Sequence, residues 1–427
     1  MSRVKVNSIT PFTGQNITLG GHAIPSGSDK NLGSETNPWS ELYVSTGSIN
    51  FVNSTNNLVA SIKAGGETGV NAAIPLGMVF TETVGTFGTT LRGSFSVGRQ
   101  NRALGTASLT VGTGNTASGN FSLAQGQSNR ATGLGAHAEG QFTTASGQFS
   151  HAEGYQTLAS GDYSHAKGGN TVASGNASHA EGASTIASGI QSHAEGGNTV
   201  ALNYQSHAEG GFTLASGYAS HAEGHFTTAS NNYSHAEGSG SIASGAASHA
   251  EGFQTLTLGI CAHAEGYFTT ASGANSHTEG ENTVAYGNGA HAEGYLTIAQ
   301  GANSHTEGRS TTAIGNSSHA EGEGTIALGF ASHTEGLFTI ASGSYQTVVG
   351  EYNALGDTTS HFIVGGGTSG ARKDAFKVTH SSSIVVATQS AAPSWVGTEG
   401  EMVPFVSGSV YRLYAYLGGA WRSSSFA

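Results

Sequence analysis

Residues 150–163 read S-H-A-E-G-Y-Q-T-L-A-S-G-D-Y, and the pattern returns every fourteen residues. His137, His151, His165, His179 and His193 open a series of fifteen histidines that runs through His207 and His221 to His333 without a slip. Counting the histidine as position 0, position +3 is glycine in all fifteen units, and position +10 is glycine in thirteen and asparagine in two, Asn203 and Asn231. Glycine replaced only by asparagine suggests a backbone that needs positive φ, so +3 and +10 are read as two turns. Between them lie S-H-A-E and T-x-A-S, short enough for strands and without a helical apolar stripe. The unit is therefore strand, turn, strand, turn: one flattened coil of a repeat protein. Stacked coils pair as parallel strands, rising ~4.8 Å each.

Working outward, the glycines continue backward at 126, 112 and 98, while the histidine position becomes Leu123, Leu109 and Phe95, and the glutamate position becomes Gln125, Val111 and Val97. Beyond the last histidine the same places hold Thr347 and Val349. The stack is expected over 93–350, roughly eighteen coils. Alternation along a strand puts −1, +1, +6 and +8 on one side, and these are small almost everywhere, as a cramped interior requires. Positions +7 and +9 vary freely and are read as the outer wall. Positions 0 and +2 are constant without being small, and are read as facing other copies of the chain. A coil lined by Ala, Ser and Thr buries too little apolar surface to stand alone. A closed homotrimer with the 0/+2 wall on its axis supplies the missing layer, although a two-chain sandwich stays open. The expected fold class is all-β: a homotrimeric rod of fourteen-residue β-solenoid repeats with small β domains at both ends.

Composition excludes other classes. The 427 residues include 66 Gly, 6 Pro and the single Cys261, with 10% charged residues and a formal charge of −12. Collagen needs far more proline, and a disulfide scaffold needs more cysteine. Fifteen Lys plus Arg argue against nucleic-acid binding. The start shows no apolar run of secretory-signal length, and no run is long enough to insert in a membrane.

The S-x-A-x-G-x-x-T-x-A-x-G pattern resembles the head repeats of trimeric autotransporter adhesins, and S-L-T-V-G at 108–112 comes nearest to that form. The resemblance implies a left-handed parallel β-roll about a three-fold axis. The S-H-A-E-G version is similar to repeats of bacteriophage tail fibres. So are the stretches N-L-G-S-E-T-N-P-W-S-E-L-Y-V at 31–44, F-I-V-G-G-G-T-S-G-A-R-K-D-A-F-K-V at 362–378, and the aromatic segment at 397–423. An autotransporter would carry a secretion signal and a membrane barrel, and neither is found here. The resemblance therefore implies a virion tail fibre, made in the host cytoplasm, whose partners are its own copies, tail or baseplate proteins, and a host surface glycan or protein.

On the shared face, His207 with Glu209 and His221 with Glu223 typify a polar column. Its plainest chemistry is a structural ladder, in which glutamate raises the histidine pKa and both are hydrogen-bonded. Lys167 stands where Glu is expected, flanked by Glu153 and Glu181, so the inversion is locally compensated. No cofactor is expected, but metal ions on the axis are a second reading, with His137 to His193 as ligands. Catalysis is not expected, because an active site is one constellation in a pocket. Phe95, Val97, Leu109, Val111 and Leu123 would form an apolar plug.

The flanks divide into 1–52, an N-terminal β segment suited to virion attachment; 53–92, unassigned; 351–390, a glycine-rich connector; and 391–427, an aromatic β cap closing the last coil. In the cap, Val410 to Leu417 alternates and Gly418-Gly419 reads as a hairpin turn into Trp421. Tyr411, Arg412, Tyr414, Tyr416 and Trp421 are its candidate receptor contacts. The expected function is non-enzymatic adhesion. The alternatives are a tailspike enzyme cleaving polysaccharide, an ice-binding solenoid (with a poor threonine array), or a purely structural spacer.

Overall fold

A computed structural model of the chain describes residues 48–52, 58–63, 94–407 and 410–426. The expectations for Trp39, for 31–44 and for the apolar run at 75–80 lie outside these residues. The chain forms two units, 1–66 and 67–427, each taken by itself. In the first, Ser48–Val52 pairs antiparallel with Leu58–Lys63.

In the second, the fourteen-residue coils form as the sequence predicts, and the described residues contain strands and no helix. Each coil has a front strand beginning at the histidine, such as His151–Tyr155, and a two-residue back strand, such as Leu158–Ala159. Front strands pair in parallel in exact fourteen-residue register, His151 opposite His137 and His165. Back strands do the same, Leu158 opposite Thr144 and Val172. Side-chain direction follows: Ala152 and Ala159, at +1 and +8, are 0% exposed, as are nearly all their counterparts. The core is thus two columns of alanine. Ser150, at −1, is buried and donates its Oγ to the Gly147 carbonyl at 2.7 Å, tying the turn to the strand. Positions +7 and +9 point outward, with Leu202 and Tyr286 well exposed.

The turns differ from expectation. Gly154 at +3 has φ of 107°, as predicted, but the +10 glycines and Asn203 and Asn231 have no positive φ. Space explains the +10 glycines instead: a Cβ on Gly161 would lie 2.0 Å from the Gly175 carbonyl oxygen in the next coil. The left-handed residues are those at +5 and +12, such as Gln156 (φ 53°) and Tyr163 (φ 58°), seven apart. These columns mix Asn, Ser, Gln and Ala with Phe and Tyr, which hid their shared conformation in the sequence.

Both ends of the stack carry buried amides. Asn115 donates to the carbonyls of Val111 and Gly126 at 2.8 Å and accepts from the Asn129 amide at 2.9 Å. At the other end Gln346 replaces the usual serine, is fully buried, and donates to the carbonyls of Asp357 and Ser360 at 2.9 Å. The edge of the last coil is covered not by 391–427 but by the preceding segment. Ser360–Gly366 adds in parallel to Thr347–Glu351, and Asp374–Thr379 and Ile384–Val386 follow antiparallel. A connector rich in glycine can lie flat here: Gly365 follows Gly350 in register. Lys377 pins this segment through Asp357 at 3.0 Å. The aromatic end folds as a separate three-stranded sheet, Met402–Ser407, Val410–Leu417 and Ala420–Phe426. Its hairpin turns on Gly418 and Gly419, both at positive φ (62° and 76°), as the sequence predicts.

Candidate functional site

Strand alternation projects positions 0 and +2 from the front wall together, so every repeat adds one imidazole and one carboxylate to a single face. His137, His151, His165, His179, His193, His207 and His221 all lie on it, in one unbroken stack of rings. The ring centroids of His137 and His151 are 4.5 Å apart and nearly parallel, and those of His207 and His221 are 4.7 Å apart. In the single chain the face is half-open: side-chain exposure is 31% at His137 and 39% at His179. Glu209 and Glu223 sit beside their histidines, at 3.6 and 3.8 Å from Nε2. Two shallow grooves follow the glutamate column over a floor of +3 glycines. One of about 630 Å³ is lined by Glu237, Glu251, Glu265 and Glu279, and one of about 720 Å³ by Gln125, Glu139, Glu153 and Lys167.

The ladder differs from expectation in two ways. Imidazole and carboxylate are too far apart for hydrogen bonds: Nε2 to oxygen distances run from 3.4 Å at His249–Glu237 to 3.9 Å at His151–Glu153. All fifteen Nε2 atoms are shielded from water, and none has a hydrogen-bond partner. Nor does glutamate prevail over burial at the histidines that shift. For His151, His165, His207, His221 and His249 the pKa is lowered, first by burial and second by the neighbouring imidazole, against the smaller upward pull of glutamate. Charge is regulated on the carboxylates instead. Glu223 and Glu251 are pushed up to about 7 by hydrogen bonds shared with Glu237 and by burial. Glu237 accepts from both and is held down to about 2. One strand spacing between like charges forces neighbours to share a proton.

Lys167 lies opposite both Glu153 and Glu181 in the ladder and pairs with Glu153 at 3.4 Å. His–Glu–His groups that could hold a metal ion recur along the column. In His137–Glu139–His151 and His235–Glu237–His249, one ligand atom from each residue lies within 4.8 Å of the others. The apolar residues at the start of the stack continue the same face. Phe95 pairs in register with Leu109 and Val97 with Val111, and Leu109 with Leu123. In the single chain Phe95 and Val111 are each 37% exposed.

In the aromatic sheet the candidate contacts divide. Trp421 donates to the Trp395 carbonyl at 2.7 Å and packs edge-on against Tyr416, so both build the sheet. Tyr414 packs edge-on against Phe405. Tyr411 and Arg412 are exposed.

A second surface was not foreseen. Phe142, Phe212, Phe226, Phe268 and Phe338 occupy +5 at φ between 51° and 58° and are exposed. Phe212 and Phe226 stack at 4.9 Å, and at the opposite corner Phe149 and Tyr163 stack at 5.5 Å. The spacing of these aromatics in steps of fourteen was the available signal.

The family model for the YadA head domain repeat matches residues 138–164, 180–202, 264–290, 292–318 and 320–345, all within the stack. Comparison with curated proteins gives no match. The chain thus carries a β-solenoid whose coils are similar to adhesin head repeats.

Proposed function

We propose that the chain is a non-enzymatic adhesive fibre: a homotrimer built on the histidine–glutamate face, whose corners and aromatic end hold a cell surface. The corner phenylalanines carry the adhesive part. A bulky residue in the left-handed region is strained, by about 1–3 kcal/mol. The fold does not ask for it, because Asn170, Asn198 and Asn282 hold the same place at φ 56°. Exposed rings kept at such a cost suit a contact surface, where aromatics give large area with little entropy loss. Trimerisation is supported by the half-open polar wall over an alanine core, and three copies multiply weak contacts. The similarity of 31–44, 362–378 and 397–423 to phage fibre segments supports a virion tail fibre that joins tail or baseplate to a host surface glycan or protein.

The test is retention of purified protein on cells of the host bacterium and blocking of virion adsorption. Phe212→Asn, Phe226→Asn and Phe268→Asn together should leave the fold intact and weaken retention at least tenfold. Unchanged retention would remove the adhesive role of the corners. Release of new reducing ends from host polysaccharide would instead favour the tailspike reading.

A further inference from the structure

The column of unpartnered imidazole nitrogens carries a second activity that adhesion does not need. We propose that successive coils bind divalent transition-metal ions of the zinc class, each ion held by two histidines and the glutamate between them, as in His235–Glu237–His249.

Three observations lead there. First, Nε2 of every stack histidine is shielded from water and has no hydrogen bond. A buried polar atom left so is expensive, and its lone pair is what a metal takes. Second, the carboxylate oxygens stand at a ligand's distance rather than a hydrogen bond's. Two donors each ~2.0–2.1 Å from a tetrahedral zinc lie about 3.3–3.4 Å apart. The structure places Glu237 at 3.4 Å from His249, Glu139 at 3.5 Å from His137 and Glu251 at 3.6 Å from His263. Third, the ligand set is chemically apt: two imidazoles and one carboxylate leave a fourth position for water. The two nitrogens of a group lie within 4.8 Å of one another, and ring tilts must close that to about 4 Å or less.

The array also fixes a stoichiometry. Each histidine borders two groups, His249 belonging with both Glu237 and Glu251, but one Nε2 offers one lone pair. Fifteen rings used two at a time hold at most seven ions per chain, one for every two coils. One dication per two coils then matches the one carboxylate that each coil contributes. Lys167 interrupts the pattern, because it stands where the carboxylate between His165 and His179 would be. All ligands of a site come from one chain, so this inference does not rest on the trimer.

The experiment uses the full chain, without a histidine tag and stripped by chelator, titrated with zinc chloride in a calorimeter. Several ions, up to seven per chain, should bind, and cobalt should give the visible absorption of a four-coordinate site. The double variant His235→Gln, His249→Gln should lose at least one ion, while Glu237→Gln with Glu251→Gln should weaken binding of the affected ions tenfold or more. His361→Gln is the control, since His361 and His380 form a separate ring pair at 4.0 Å. Should a variant misfold, the unmutated chain decides: zinc bound to it should show, in X-ray absorption, nitrogen and oxygen neighbours at ~2.0–2.1 Å with the outer-shell scattering of imidazole rings. Failure to bind, a single ion abolished by His361→Gln, or bound zinc without imidazole neighbours would overturn the proposal.

Discussion

Replacing Gly154 by alanine tests the geometry of the coil most sharply. Gly154 has φ of 107°, and an added Cβ would sit 2.1 Å from the Gly168 carbonyl oxygen of the next coil. The φ alone is strained by about 1–3 kcal/mol. An overlap of more than an ångström also forces the coils apart, and each ladder hydrogen bond lost removes about 1 kcal/mol more. A local destabilisation of roughly 3–5 kcal/mol follows. Because stability in a repeat array is local, hydrogen exchange read by mass spectrometry is the right assay. Peptides covering 140–182 should exchange at least a hundredfold faster, while coils near 300 stay protected. Two comparisons sharpen the result. Gly169→Ala has nothing within 4 Å of the new Cβ and should change exchange little. Gly161→Ala meets a carbonyl at 2.0 Å but at an unstrained φ, in a column that carries asparagine at 203 and 231. It should fall between the other two. Equal effects for Gly154→Ala and Gly169→Ala would refute the reasoning.

The shared-proton column predicts an unusual pH response in chelated protein. Glu251 binds a proton up to about pH 7 when folded, against an ordinary glutamate value of 4.5, so its contribution is full below about 4.5 and is lost as pH rises through 7. Glu251→Gln, a mimic of the protonated form, should raise the melting temperature relative to the unmutated chain more at pH 8 than at pH 5; equal shifts would contradict the sharing. The histidines with lowered pKa, such as His221, act oppositely, losing stability as pH falls below the free value of ~6.5. Asp357 is only partly buried: burial alone would raise it, but Ser360, Thr359 and Lys377 hold it well below the carboxylate range. Asp357→Asn should unpin 360–386 at a loss of about 3 kcal/mol above pH 4, and local exchange there measures it. In the aromatic sheet, Trp421→Ala should melt strands 402–426 by about 3 kcal/mol or more, whereas Tyr411→Ala should leave circular dichroism unchanged.

Repeat length, wall assignment and the alanine core were legible because a strand's alternation acts identically in every coil. One constraint repeated fifteen times becomes visible in a single sequence. The +10 glycine misled because glycine answers two needs, positive φ and lack of space, and composition alone does not separate them. Left-handed backbone at +5 and +12 was invisible for the opposite reason: several residue types adopt it, as Gln156, Asn170 and Phe212 show. On the candidate site, placement of the imidazoles and carboxylates on one face followed from the spacing. Their protonation did not, because burial disfavours the charged ring and stacking at one strand spacing sets each histidine against the next, effects the pairing of His207 with Glu209 conceals. The aromatic end reads as the cap because 351–390 reads as a glycine-rich connector, yet Ser360–Gly366 lies in parallel register with Thr347–Glu351 and buries Ile363 against Ala341 and Val348.

The reading as a whole turns on whether the histidine–glutamate wall meets copies of itself. Light scattering on the full chain at micromolar concentration measures this directly. Three chains of 43.0 kDa give a particle of about 129 kDa, which is the mass expected at pH 7. A particle with the mass of one chain would leave the wall in water and contradict the account.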